Sequence, residues 1–272
     1  MNRLPTRLLP WLLLLCAGCA GTSHVTRTYP APTTVELVQA LRARQAAVRA
    51  VNMEVRATSW LGGQRVRGTV QMLVERGGQL RFEAEVSLQG TVAALAVDHD
   101  QFTFIDHQKH LFRKGPACAA NVASLIRIPL GPAAVAAILL GDAPLLEGSK
   151  AADVAWDDTS GSDVLIVTET SGTSLRLGLH RPDPAKALWD VLFVEGLASH
   201  ATQRWRVSYE NFERKGDAAL PRLIRFAEPG KSFDDGVEIQ VRERLLNPTF
   251  AALAFILEAP PGYTVELAAC GF

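Results

Sequence analysis

Hydrophobic and polar positions alternate along most of this chain with the period of two that marks strands carrying one buried face. Met53, Val55, Ala57 and Ser59 alternate with Glu54, Arg56 and Thr58. Val66, Gly68, Val70, Met72 and Val74 alternate with Arg65, Arg67, Thr69 and Gln71. Leu80, Phe82, Ala84 and Val86 alternate with Arg81, Glu83 and Glu85. Gly62-Gly63 and Gly77-Gly78 separate the three runs as hairpin turns. The pattern predicts an antiparallel meander with one apolar and one polar face. Further strands are expected at 92–97, 101–106 and 110–113, with a turn at Asp98-His99-Asp100.

A helical period replaces the alternation in three places. Thr33 or Thr34 is suited to cap a helix. Val35, Val38, Leu41, Gln45 and Val48 then follow steps of three or four residues, with Arg42, Arg44 and Arg49 largely outside that stripe. Residues 118–126 read as a short helix, interrupted by Pro129, Gly131 and Pro132. Residues 133–140 read as a second, very apolar helix stopped by Gly141. Helices this apolar need cover, and the apolar face of the sheet is the economical place for it. Strand signals resume at 153–156, 164–170, 174–180, 188–194, 203–209, 223–227 and 237–244. Residues 250–257 fit a strand or a short helix equally. The pattern predicts one mainly β (α+β) domain of about ten antiparallel strands, an open or closed barrel.

The N-terminus has a different logic. Arg3 and Arg7 precede an apolar run, Leu8 to Leu15, broken only by Pro10. That run is short of the roughly 20 residues a membrane span needs and suits a signal peptide over 1–18. Ala17-Gly18-Cys19 resembles the end of a lipobox, with Cys16 where an aliphatic residue is usual. The resemblance implies a covalent lipid on Cys19; an ordinary secretory peptide is the alternative. No Asp follows Cys19, which by the same resemblance implies the outer membrane, on its periplasmic face. Residues 19–32 lack apolar periodicity and read as a flexible tether.

Charge and cysteines narrow the class. Basic and acidic residues balance at 28 each, which argues against nucleic acid as a partner. A hydrophobic content of 48% with only 7% aromatic residues fits either a ligand cavity or a large plain core. Once Cys16 and Cys19 are set aside, Cys118 and Cys270 remain. An oxidising periplasm favours pairing them, and two buried thiols are the other option.

The order of lipid anchor, N-terminal helix, meander, helical interruption and second meander resembles the LolA/LolB family of periplasmic lipoprotein carriers and receptors. Three stretches add to it. Trp205-Arg206-Val207-Ser208-Tyr209 resembles a Trp-x-Val-x-Tyr strand of the LolB type, and Leu220-Pro221-Arg222-Leu223-Ile224 the opening of the next strand. The run from Phe255 through Pro260-Pro261-Gly262 to Val265 resembles the family's ending. Gly115-Pro116-Ala117-Cys118 is similar to a motif of uncharacterised LolB-like lipoproteins. The resemblance implies an open antiparallel half-barrel over 33–272 with helices covering its concave face. It also implies a monomer that binds acyl chains of membrane lipid or of client lipoproteins. The competing class is an assembly lipoprotein whose barrel is a platform for envelope proteins.

Candidate residues follow from the same two sources. By position, Trp60 and Leu61 form the loop that LolB-type receptors insert into membrane, though both could fold onto the sheet. Val135, Ile138, Leu139 and Leu140 could line an acyl cavity or fill a dry core. Asp98, His99, Asp106, His107 and His110 are ligand-like types, but exposed hairpin turns explain them, so no metal is expected. No Gly-x-Ser-x-Gly, His-Glu-x-x-His or phosphate-cradling glycine loop occurs. The chain is therefore expected to be no enzyme, with no catalytic residue and no cofactor beyond the lipid on Cys19.

Overall fold

Two antiparallel meanders join edge to edge into one sheet. The computed structural model describes residues 24–270 except 62–63, 87–89, 146–147, 170–171, 198–202, 217 and 229. The signal peptide, Cys19 and the tip of the Gly62-Gly63 turn lie outside the described residues. The first meander is β1 (Ala50–Leu61), β2 (Gln64–Glu75), β3 (Gln79–Val86), β4 (Gly90–Asp98), β5 (Gln101–Asp106) and β6 (Leu111–Pro116). The second is β7 (Lys150–Asp157), β8 (Ser162–Thr168), β9 (Ser174–His180), β10 (Asp190–Leu197), β11 (Gln203–Lys215), β12 (Ala218–Ala227) and β13 (Val237–Leu246). β13 pairs antiparallel with β1, and a last strand, β14 (Thr264–Leu267), adds to β6 in parallel. The sheet order is β14-β6-β5-β4-β3-β2-β1-β13-β12-β11-β10-β9-β8-β7, and its two outer strands do not pair, so the sheet stays open.

The sheet thus has fourteen strands rather than about ten. Thirteen of them coincide with runs that the alternation marks, more than the round figure of ten, and the one without a signal is β14, all four of whose residues are exposed. With no buried face, β14 has no period for the sequence to display. Residues 250–257 are neither strand nor helix but a series of turns. This segment crosses the outer face, where Leu257 and Tyr263 pack on Ala94, Ile105 and Phe112. Arg81 donates to the Ala254 carbonyl at 3.0 Å.

Three helices lie among the described residues: α1 (Thr34–Ala47), α2 (Ala119–Ile126) and α3 (Pro132–Leu139). Thr33 caps α1 with a complete capping box, its side chain accepting from the Glu36 amide while Glu36 reaches back. The buried stripe of α1 is Leu37, Leu41, Arg44 and Val48, while Val35 is exposed. The expected stripe was rotated because it set Arg44 outside, and Arg44 in fact faces inward. α2 and α3 share one core cluster with the sheet, including Val122, Ile126, Val135 and Ile138 with Val55, Met72, Phe82 and Leu95.

Arg44 enters the core because Asp142 is there. Asp142 follows α3 and is completely buried. Its carboxylate lies 3.0 Å from Arg76, in the β2–β3 turn, and 3.7 Å from Arg44. Arg44 also donates to the Gly141 carbonyl at 2.9 Å, and Tyr209 of β11 donates its hydroxyl to the Asp142 carbonyl at 2.8 Å. Burial pushes the Asp142 carboxyl above the ordinary aspartate range, with Arg44 and then Arg76 pulling against it. Gly141 has φ +74°, and a Cβ there would meet Pro221 Cδ at 2.4 Å, so glycine is required twice over.

The Cys118–Cys270 disulfide is formed, with Cα atoms 6.1 Å apart. It ties the N-cap residue of α2 to the segment after β14.

Two outcomes are expected from denaturant unfolding. Asp142→Ala leaves Arg44 buried without its anion and should cost about 3–5 kcal/mol, whereas Arg225→Ala on the outer face should cost less than about 1 kcal/mol. The double variant Cys118→Ser/Cys270→Ser opens a closure of 152 residues. On the chain-entropy model it should lose up to about 5 kcal/mol.

Candidate apolar cavity under the second helix

The inner face of the first meander is large-residued near its middle and small-residued toward one rim. Val55, Val70, Met72 and Phe82 are buried side by side in the core. Toward that rim the strands carry Ala57, Gly68 and Ala84 instead; Ala57 pairs directly with Gly68, and Ala84 pairs with Val70 one row further in. α2 passes over this thinner layer, and a cavity of about 180 Å³ remains between them. Its walls include Val66, Val70, Ala84 and Val92, with Leu125 and Ile126 from α2 above. Arg67 and Glu85 are its charged lining residues. Arg67 lies 3.4 Å from the Thr58 hydroxyl, to which its Nε donates.

The apolar lining runs out to the rim. Val66 is 47% exposed and Val86 43% exposed, and both also line the cavity. Trp60 is 40% exposed at the same rim. It borders an adjoining, more polar cleft of about 270 Å³ with Ala123, Arg127, Lys231 and Asp235. The side chain of Leu61 lies outside the described residues.

Val135, Ile138, Leu139 and Leu140 sit elsewhere. Each is at most 1% exposed, enclosed in the main core between sheet and α1. Of the two readings the sequence left open for α3, lining an acyl cavity or filling a dry core, the burial of these four side chains matches the core. The cavity forms under α2, and the signal for it was small residues brought together by the hairpins, Ala57 opposite Gly68 and Ala84 opposite Val70. That signal is visible only once the hairpins are aligned.

The turn residues with metal-ligand types are separately engaged. His99 lies 2.8 Å from its neighbour Asp98, and His107 Nδ1 is 2.9 Å from the Tyr263 hydroxyl. Asp106 accepts from the amides of Gln108 and Lys109. No group of three or more such side chains converges among the described residues. No helix among them is long and apolar enough to cross a membrane.

An open antiparallel sheet with helices packed on its apolar face is an arrangement that solved structures share with this chain. A LolA superfamily protein from Nitrosomonas europaea aligns over 84% of this chain and 99% of its own, with a TM-score of 0.57 and 10% identity. A DUF1329 family protein from Desulfovibrio piger aligns over 84% and 98%, with a TM-score of 0.58 and 12% identity. An outer membrane lipoprotein-sorting protein domain from Vibrio parahaemolyticus aligns over 81% and 95%, with a TM-score of 0.56 and 9% identity. The resemblance drawn from the sequence is thus met by a LolA-like fold, and at these identities the fold is what is shared. No family model matches the sequence, and no curated protein matches it.

Leu139→Ala should cost about 2–5 kcal/mol in stability, as removal of a core leucine does. Denaturant midpoints checked alongside ligand affinity would separate a core role for α3 from a ligand-lining one.

Proposed function

We propose that this is a lipid-anchored periplasmic protein that binds acyl chains of lipids or client lipoproteins for delivery at the outer membrane, without covalent chemistry. The observation that carries the reading is the apolar cavity under α2, with Val66 and Val86 left exposed at its rim. Exposed aliphatic residues continuous with an apolar cavity are a path by which a chain can leave water. Each Å² of apolar surface buried contributes about 25 cal/mol. The lipobox-like Ala17-Gly18-Cys19 supports the anchor, and the lipoprotein-sorting description of the Vibrio structure supports the class of cargo.

The cavity is smaller than the roughly 300–1,000 Å³ usual for small-molecule pockets. A whole chain therefore enters only if α2 moves. The helix is held at its start by the Cys118 disulfide, and the cavity lies under its other end, at Leu125 and Ile126. α2 is placed to swing about Cys118, with Trp60 and Leu61 on the rim as the contact with the presented lipid.

One feature favours the competing, platform reading: β14 is an edge strand whose Val265 and Leu267 are 54% and 82% exposed, a form suited to adding a partner's strand. The cavity distinguishes the two. Gly68 has ordinary space around a built Cβ, with Glu85 O at 3.6 Å, so Gly68→Val should fold and fill the cavity. Titration with a fluorescent long-chain fatty acid should show at least about a tenfold loss of affinity for this variant, with an unchanged thermal melt. Unaltered affinity, or no binding by the native protein, would remove the acyl-binding reading and leave the platform.

A further inference from the structure

The segment before α1 is docked to the sheet, which corrects the reading of residues 19–32 as a flexible tether for the described part, 24–32. The Val25 amide donates to the Asp158 carbonyl at 2.8 Å, and the Trp156 indole donates to the Val25 carbonyl at 3.0 Å. His24 Nδ1 lies 2.6 Å from the Asp158 carboxylate. Asp163, whose side chain is wholly buried, accepts from Arg27 at 2.5 Å and from the Tyr29 hydroxyl at 2.9 Å. Arg27 stacks over Trp156, and the Tyr29 ring meets Trp156 and Trp189 edge-on. Sequence reasoning missed this because its contacts are single polar and aromatic residues without a period.

The strand register fixes where this docking lies. Asp157 pairs with Ser162 and His180 with Asp190, so the β7–β8 turn and the β9–β10 connection share one rim. Followed strand by strand, that is the rim of Glu75–Gln79 and Asp98–Gln101. Leu61 and Gln64, Val86 and Gly90, and the start of β13 beside Thr58 all lie at the opposite rim, where the cavity opens.

We propose that the docked segment is an orienting strap: with Cys19 in the membrane, the docked strap holds the cavity mouth away from that membrane, and its release lets the mouth, with Trp60 at its rim, reach the membrane for delivery. This rests on the lipid-anchor part of the function proposed above. From Cys19 to His24 the chain reaches at most about 18 Å. β1 alone, at 12 residues, is about 40 Å long, or about 30 Å rim to rim at an ordinary barrel tilt. The leash is shorter than the body it would have to turn over. Freed as far as Thr33, the same chain would reach about 50 Å, enough to bring the mouth down. The side facing the bilayer would then be the β7–β8 turn, where exposed Thr159 and Ser160 are polar.

The test uses the full lipidated chain in phosphatidylethanolamine/phosphatidylglycerol vesicles containing a headgroup-spin-labelled lipid. A fluorophore is placed on Val86→Cys at the mouth or on Thr159→Cys at the strap rim, with the native disulfide kept oxidised. Quenching should be at least about threefold stronger at Thr159→Cys. Adding Arg27→Ala/Tyr29→Ala together with Asp163→Asn, so that no buried charge is left without its partner, should raise quenching at Val86→Cys toward the other site while the protein keeps a cooperative thermal melt. Equal or stronger quenching at Val86→Cys in the otherwise native protein would overturn the orientation. Quenching unmoved by strap release would overturn the strap's part in it. Protein that fails to float with vesicles would overturn the anchor and this inference together. Fatty acid binding by the unanchored domain is measured independently, so it separates failure here from failure of the acyl-binding reading.

Discussion

Asp142 is wholly buried between two arginines, Arg44 of α1 and Arg76 of the β2–β3 turn. A carboxylate in that position is tolerable only because Arg44, Arg76 and the adjoining backbone bonds surround it. Those partners are α1, the β2–β3 turn, the end of α3 and, through Tyr209, β11 of the second meander. Four elements that would otherwise meet only through apolar contact are therefore held in one arrangement. Hydrophobic burial alone would let α1 and α3 slide over so large a sheet. A buried ion cluster does not slide, because displacement by one turn strands a charge.

With α1 fixed against β7 and α3 against β2 and β3, the inner surface beside β4 falls to α2. The strands beneath it carry Ala57, Gly68 and Ala84 where their neighbours carry Val55, Val70 and Phe82. Large side chains are missing at these three positions, spread over two neighbouring rows of the sheet, and a short helix bridges the gap. The cavity is thus made by small residues on three strands rather than by any one apolar helix. Its location at a rim follows from the same fact, since the layers nearer the middle are filled.

The end of the chain reinforces this division. The turns after β13 cross the outer face of β4–β6, β14 closes onto β6, and Cys270 reaches the N-cap residue of α2. One end of α2 is consequently fixed to the far edge of the sheet, while its other end lies over the cavity. The start of the described chain is fixed at the opposite rim through Asp158 and Asp163. The two termini and the cavity mouth therefore have set positions relative to one another.

The sequence by itself determined what is periodic. Alternation fixed both meanders and their faces, a 3.6-residue period and Thr33 placed α1, and Gly141 ended α3, because each of these is decided by which neighbours along the chain must be buried. The pairing of Cys118 with Cys270 was one of two outcomes open to a linear reading, since residue type and redox setting allow a bridge or two buried thiols. Only the tertiary structure decided that Arg44 faces inward, that residues 24–32 are docked, that β14 exists, and that the cavity lies under α2 rather than α3. Each of these depends on a partner about a hundred residues or more away: Asp142 for Arg44, Asp163 for Arg27 and Tyr29, β6 for β14. The exception is the alignment of Gly68 with Ala57, which is local but invisible until the hairpin closes. An exposed edge strand and a single buried charge have no period, so nothing along the chain announces them until the fold supplies the other half of the contact.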